Sequence, residues 1–151
     1  MDIRIKTNKK CYVLIISRFF PKKHPKAGEH THFLESIEIG LKIHTIRGNY
    51  ALWKKRIDEV NAGNAYISRR YWSGEPYNSK QVEYDKLYKV EIQKAEFDGL
   101  NSVKIDDEFW FNNSTEVIAA NDGLTYNDFK EWFRYHKKEP MAIIQFTDFK
   151  Y

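Results

Sequence analysis

The sequence predicts a small α+β fold: a single domain over residues 1–151 with five or more strands and about three helices. Short runs rich in β-branched residues, such as Tyr12–Ile16 and Met141–Phe146, read as strands. Ala51–Val60 and Tyr126–Tyr135 instead place apolar residues at helical spacing. Hydrophobic residues make up 42% of the chain and aromatics 16%, enough apolar surface for a core and an argument against a disordered chain. No internal repeat or shift in composition marks a second domain.

Met1 to Lys10 is a charged lead-in. The first strand, Tyr12–Ile16, is apolar on both faces and is expected to be fully buried. Residues 17–30 hold two prolines, a glycine and several cations, which continue neither strand nor helix, and form a long basic loop. Thr31 stands where it would cap a helix bearing Phe33, Leu34, Ile37 and Leu41, and Gly40 where it would stop it. A strand over Ile43–Arg47 follows. The helix Ala51–Val60 ends at Asn61-Ala62-Gly63-Asn64 and gives way to a strand, Ala65–Tyr71. Past the turn Trp72–Pro76, residues Gln81 to Glu96 read as one long strand or as two with a bend. Asp98–Asn101 is a turn, and Val103–Phe111 is a strand whose pattern is diluted by Asp106-Asp107-Glu108, read as a solvated edge. Thr115–Asn121 forms a short helix. Thr125 caps a clearer one with Phe129, Trp132 and Phe133 on its core face, Glu139-Pro140 breaks it, and Met141–Phe146 closes the fold.

Against 21 Asp and Glu stand 25 Lys and Arg, a net charge of +4 with the 5 His neutral, and a pI near 9.0. The excess is uneven. Basic residues outnumber acidic ones up to Lys80, and the reverse holds from Gln81 onward. A basic half with abundant Tyr and Trp permits a nucleic-acid partner. The single cysteine, Cys11, excludes an internal disulfide and a multi-cysteine zinc site, and fits a reducing, cytoplasmic setting. The apolar run Cys11–Ile16 is too short to span a membrane and no signal cleavage site follows it, so no membrane partner is expected.

The segment Ile39 to Gly48 gathers Lys42, His44, Thr45 and Arg47 where a helix stop meets a strand start, at a rim from which they could reach a ligand. On a regular strand Lys42 and His44 share one face, and Thr45 and Arg47 the other. These residues, read with Phe33, Ile37 and Gly40 before them, Asn61-Ala62-Gly63-Asn64 after them, and Ile118-Ala119-Ala120-Asn121-Asp122-Gly123-Leu124-Thr125 ahead of the last helix, resemble the ASCH domain of the PUA-like superfamily. The resemblance runs in order from Phe33 to Phe146. It implies a small PUA-like β-barrel with about three flanking helices and a cleft suited to RNA or a nucleoside. Some ASCH proteins are amidohydrolases that deacetylate N4-acetylcytidine. Carried over by position, their working residues fall on Lys42, Thr45 and Asp122, with Asp122 standing where those enzymes have Glu. No cofactor is implied. For Lys42 and Thr45 to meet, the strand must begin or bend after Lys42. Burial beside Arg47 would then lower the Lys42 pKa, Thr45 could hold its amine, and a carboxyl at Asp122, if burial raised its pKa, could protonate a leaving amine.

Other groups extend this reading. Arg47, His44, Arg69, Tyr71 and Trp72 are candidate ligand contacts, the last three because rings beside arginines are suited to stacking unpaired bases. Arg18, Lys22, Lys23 and Lys26 are candidate phosphate-backbone contacts beside Phe19 and Phe20. His24, His30, His32 and His44 are potential metal ligands, but their spacing matches no zinc pattern and no metal is expected. Three functions stay open: RNA or nucleoside binding, amide hydrolysis on an N4-acylated cytidine, and a protein-interaction module on the same fold.

Overall fold

The computed structural model describes residues 9–98, 102–110, 114–134 and 139–151. Among them are eight strands and four helices, a mixed α+β arrangement with one helix more than expected. The strands pair in two sheets, and no closed barrel is seen among the described residues.

The smaller sheet has the order β1-β3-β4. Its centre is β3 (Ala65–Trp72), which runs parallel to β1 (Lys10–Ile15) and antiparallel to β4 (Gln81–Leu87), with a register shift between Arg69 and Arg70. β1 is therefore an edge strand. Of its residues only Leu14 is buried, so the expectation of a fully buried first strand fails: an apolar run on an edge covers one face only.

The larger sheet has the order β2-β8-β5-β6-β7. β2 (His44–Arg47) and β5 (Glu91–Asp98) flank β8 (Met141–Gln145), whose five residues are all buried. Alternation along β8 feeds two cores. Met141 and Ile143 pack with Phe33, Ile46, Ile118 and Phe129, whereas Ala142 and Ile144 pack with Trp53, Ile57 and Val60 of α2 (Tyr50–Asn61). The region Gln81–Glu96 is thus two strands, and they lie in different sheets. β6 (Ser102–Ile105) and β7 (Glu108–Trp110) form a hairpin whose connection is Asp106-Asp107, at φ 50° and 71°. The acidic residues read as a diluted strand are its two-residue turn. The turn expected at Asp98–Asn101 falls mostly outside the described residues.

The helix caps carry the local logic. α1 (Phe33–Glu38) begins after His32 rather than Thr31, with His32 at φ 59°, although the Thr31 hydroxyl still accepts the Phe33 N–H. Gly40, at φ 79°, turns the chain out of α1, where any L side chain would be strained. Asn49 caps α2 by accepting from the Leu52 N–H, and Thr125 caps α4 (Tyr126–Trp132) by accepting from the Asp128 N–H. α3 (Ser114–Asn121) ends at Asp122-Gly123. The basic loop is closed at its base by a bridge between Phe19 and His30, and Phe20 and His24 are buried beneath it. No helix among the described residues is long and apolar enough to cross a membrane.

Candidate functional site

Three short hydrogen bonds place Lys42. Its own N–H and that of Leu41 both donate to the Ser36 carbonyl, and the Ile43 N–H donates to Asn121 O. The end of α1, the start of β2 and the end of α3 are thereby tied together. Lys42 precedes the strand, so alternation does not govern it. It and Thr45 line the same small pocket, with Arg47, Asp122, Ser17, Phe33, Trp132 and Phe133 around them. The expectation that the strand begins after Lys42 holds.

Lys42 and Asp122 meet inside the protein. The Lys42 Nζ donates to Asp122 Oδ1 at 2.9 Å and to Asp122 O at 2.8 Å, and the two side chains are 2% and 4% exposed. Its charge lies 4.1 Å from the centre of the Phe33 ring, a cation–π contact. Gly123 makes the approach possible: it sits at φ 80°, and a Cβ there would stand 3.2 Å from Lys42 Cβ.

Burial pushes the Lys42 ammonium below its ordinary pKa, Asp122 pulls back part of that shift, and Arg47 adds slightly to it. For Asp122, burial pushes the carboxyl up, but the Lys42 charge and the His44 ring outweigh it and hold the pKa below the usual carboxylate value. Asp122 therefore stays ionised. This corrects the expectation of a protonated carboxyl ready to donate, because burial is the largest single influence but Lys42 and His44 together exceed it. Nor does Thr45 hold the amine; Asp122 does. Arg47 is half-buried, with Nη1 donating to Ile46 O at 3.3 Å and Nη2 to Ile15 O. Burial works against its charge and Asp122 offsets part of that effect, yet a guanidinium remains protonated under such conditions.

Behind the pair lies a second polar layer. His44 is fully buried, its Nε2 is 2.6 Å from the Tyr151 hydroxyl, and Asn121 Nδ2 donates to that hydroxyl at 3.0 Å. The hydroxyl accepts from Asn121, and which of Tyr151 Oη and His44 Nε2 donates to the other is set by the tautomer of the ring. Nδ1 faces Asp122 Oδ1 at 3.4 Å, too long for a firm hydrogen bond and without a better partner. Burial pushes the Tyr151 hydroxyl pKa up, so it keeps its proton. Tyr151 is fixed in turn by Gln93, which accepts its N–H at 2.9 Å and donates to its carbonyl at 3.1 Å.

Of the candidate site residues, Lys42, Thr45, Arg47 and Asp122 come together at the pocket, with His44 behind them. Arg69, Tyr71 and Trp72 lie elsewhere. Arg69 is buried, forms a two-pronged pair with Asp85 and lies over the Phe146 ring at 4.5 Å. Tyr71 lies beneath the Arg18 guanidinium at 5.4 Å, and Trp72 packs against Tyr77. Lys22 and Lys23 are exposed on the loop, whereas Lys26 donates to Asp128 Oδ2 at 2.8 Å. His24 is buried against Phe20 and bonds Asp128 O at 3.0 Å. Among the described residues no three His, Cys, Asp or Glu side chains cluster as metal ligands.

Sequence reasoning missed several members. Trp132 and Phe133 read as core at helical spacing, and they do pack there, yet they also line the pocket. Tyr151 gave no signal at all. Comparison with protein-family models, with curated proteins and with solved structures gives no match.

Proposed function

We propose that the chain is an ASCH-type domain that takes a modified nucleoside, free or within RNA, at the Lys42–Asp122 pocket, with its two sheets acting as the halves of a PUA-like barrel. The observation that carries this is the meeting of Lys42, Thr45, Arg47 and Asp122 around one pocket. The space open to the centre of a water molecule there is about 10 Å³, room for a single water. A nucleobase does not fit so small a space. A substituent on its edge does, with the base left outside.

That size, with a buried lysine of lowered pKa, favours a second and more specific reading: hydrolysis of an amide on the base, as in an N4-acylated cytidine. Lys42 in its neutral form takes a proton from the water as the water oxygen bonds the acyl carbon. The Thr45 hydroxyl and Arg47 face the oxyanion that develops. When the tetrahedral intermediate collapses, the C–N bond breaks, the Lys42 ammonium returns its proton to the leaving nitrogen, and cytidine and the carboxylic acid are released, the acid then giving its proton to water. Asp122 holds the ammonium in place between the two transfers.

Incubation with N4-acetylcytidine should release cytidine. Thr45→Val should lower the rate about 100-fold or more while the protein stays folded. No cytidine from the wild-type protein, with N4-acetylcytidine still bound, would leave the binding reading and remove the hydrolytic one. No binding would remove both.

A further inference from the structure

A second pocket adjoins the first. It holds about 210 Å³ and is lined by Arg18, His30, His32, Phe33, Leu34 and Glu35. Phe33 belongs to both pockets, and Ser17 of the inner one directly precedes Arg18 of the outer one. The two are neighbours across one aromatic ring, the ring that also carries the Lys42 charge. At this size the outer pocket suits one small fragment of a ligand rather than a whole drug-sized molecule.

Its lining sets the Arg18 guanidinium beside the His30 and His32 rings and is fixed by the backbone. The Thr31 N–H donates to Arg18 O at 2.9 Å and Phe19 bridges to His30, so Arg18 and His30 emerge from opposite sides of the closed base of the loop. The Arg18 guanidinium is braced by the Phe19 and Tyr71 rings at 5.6 and 5.4 Å, and its Nη1 reaches the carbonyls of Trp72 and Ser73 at 3.3 and 3.4 Å. The His30 ring lies 4.6 Å from Phe19 and stacks on His32 at 5.7 Å. Among the described residues no carboxylate pairs with Arg18 or His30. The one carboxylate of the lining, Glu35, is met by His32 Nδ1 at 3.3 Å. Arg18 and His30 thus border one recess whose single acid, Glu35, is met by His32. A phosphate suits this pair, because its oxygens can accept from both at once and a guanidinium matches its geometry.

We propose that the outer pocket is a phosphate subsite, with Arg18 and His30 holding the phosphate of a nucleotide whose base substituent reaches Lys42. This rests on the reading of the inner pocket as a nucleoside site. The phosphate belongs either to a mononucleotide or to the backbone of RNA.

N4-methylcytidine is a suitable probe, since it has no amide carbonyl to hydrolyse. Its binding, that of its 5′-monophosphate and that of a short oligoribonucleotide containing it are measured by calorimetry on the full chain. The monophosphate should bind at least ten-fold more tightly than the nucleoside. In Arg18→Gln, at a half-buried side chain, and in His30→Gln, at an exposed one, that ratio should fall toward one. Equal binding of nucleoside and monophosphate to the wild-type protein overturns the subsite and leaves the nucleoside reading intact. If none of the three binds, the nucleoside reading fails, and inorganic phosphate decides the subsite alone. Shifts of the His30 ring signals on adding phosphate, lost in Arg18→Gln, sustain it, and their absence overturns it. Tighter binding of the oligonucleotide than of the monophosphate, weakening steeply with salt, assigns the phosphate to RNA; the reverse order assigns it to a mononucleotide.

Discussion

Two lysine–aspartate pairs, nearly identical in length, behave in opposite ways. Lys42 meets Asp122 at 2.9 Å with both side chains at most 4% exposed; Lys26 meets Asp128 at 2.8 Å with the lysine 46% exposed. In the buried pair the loss of water around the ammonium dominates and the lysine pKa falls. In the open pair the hydrogen bond to Asp128 dominates and the lysine pKa rises. The same contact therefore accompanies a lowered lysine pKa in one place and a raised one in the other. Distance does not decide a lysine's chemistry; the water it keeps does.

The strongest way to break this comparison is to remove one partner. Lys42→Met strands Asp122 without its cation, and should cost about 3–5 kcal/mol, a fall in Tm on the order of 10 °C by calorimetry. Lys42→Met combined with Asp122→Asn should restore much of the loss. If the single change is silent, the pair is not the buried ion pair described.

Titration separates the two lysines by sign. Lys42 has a folded pKa below its unfolded value near 10.5, so its cost to stability is fully present below the folded pKa and is relieved as pH rises toward 10.5. Lys26 has a folded pKa above 10.5, so its contribution is complete below that value and is lost as pH rises through the folded one. Denaturant unfolding from pH 8 to 11 should therefore give a smaller rise with pH in Lys42→Met, and a smaller fall at the top of the range in Lys26→Ala. On the acid side Asp122 stabilises above its unfolded value near 3.8, and that stability is lost as pH falls through its lowered folded pKa.

A milder test addresses the support of the buried pair. Tyr151→Phe removes the hydroxyl that serves both His44 and Asn121 and should cost about 1–3 kcal/mol. The smallest effect is expected from Lys26→Ala at neutral pH. Water screens an open pair, and Tm should barely move.

The helix ends were legible because capping is local: Gly40, Asn61-Ala62-Gly63-Asn64 and Thr125 act within a few residues of themselves. The burial of β8 was legible from its unbroken apolar run. Other features were not. Asp106-Asp107 makes a turn with two positive φ values without the glycine that normally announces one. Tyr88-Lys89-Val90, which separates β4 from β5 and sends them to different sheets, holds neither glycine nor proline. The Lys42–Asp122 pair joins residues 80 positions apart, and no spacing rule reaches that far. Only the resemblance to ASCH domains named both residues. The sign of the Asp122 shift depends on burial and on Lys42 and His44, gathered beside it by folding, so no local pattern carries it.

The position of β8 between β2 and β5 sets an order of events. Neither of those strands can complete its pairing until residues 141–145 arrive, although both precede them in the chain. Until then each keeps a strand edge open, and the loops to be closed are long, which slows folding. During synthesis the larger sheet must wait, with two unpaired strand edges available to other chains, while the smaller sheet and α2 already have their residues in hand. The strand that joins both cores is also the one that arrives last of the eight.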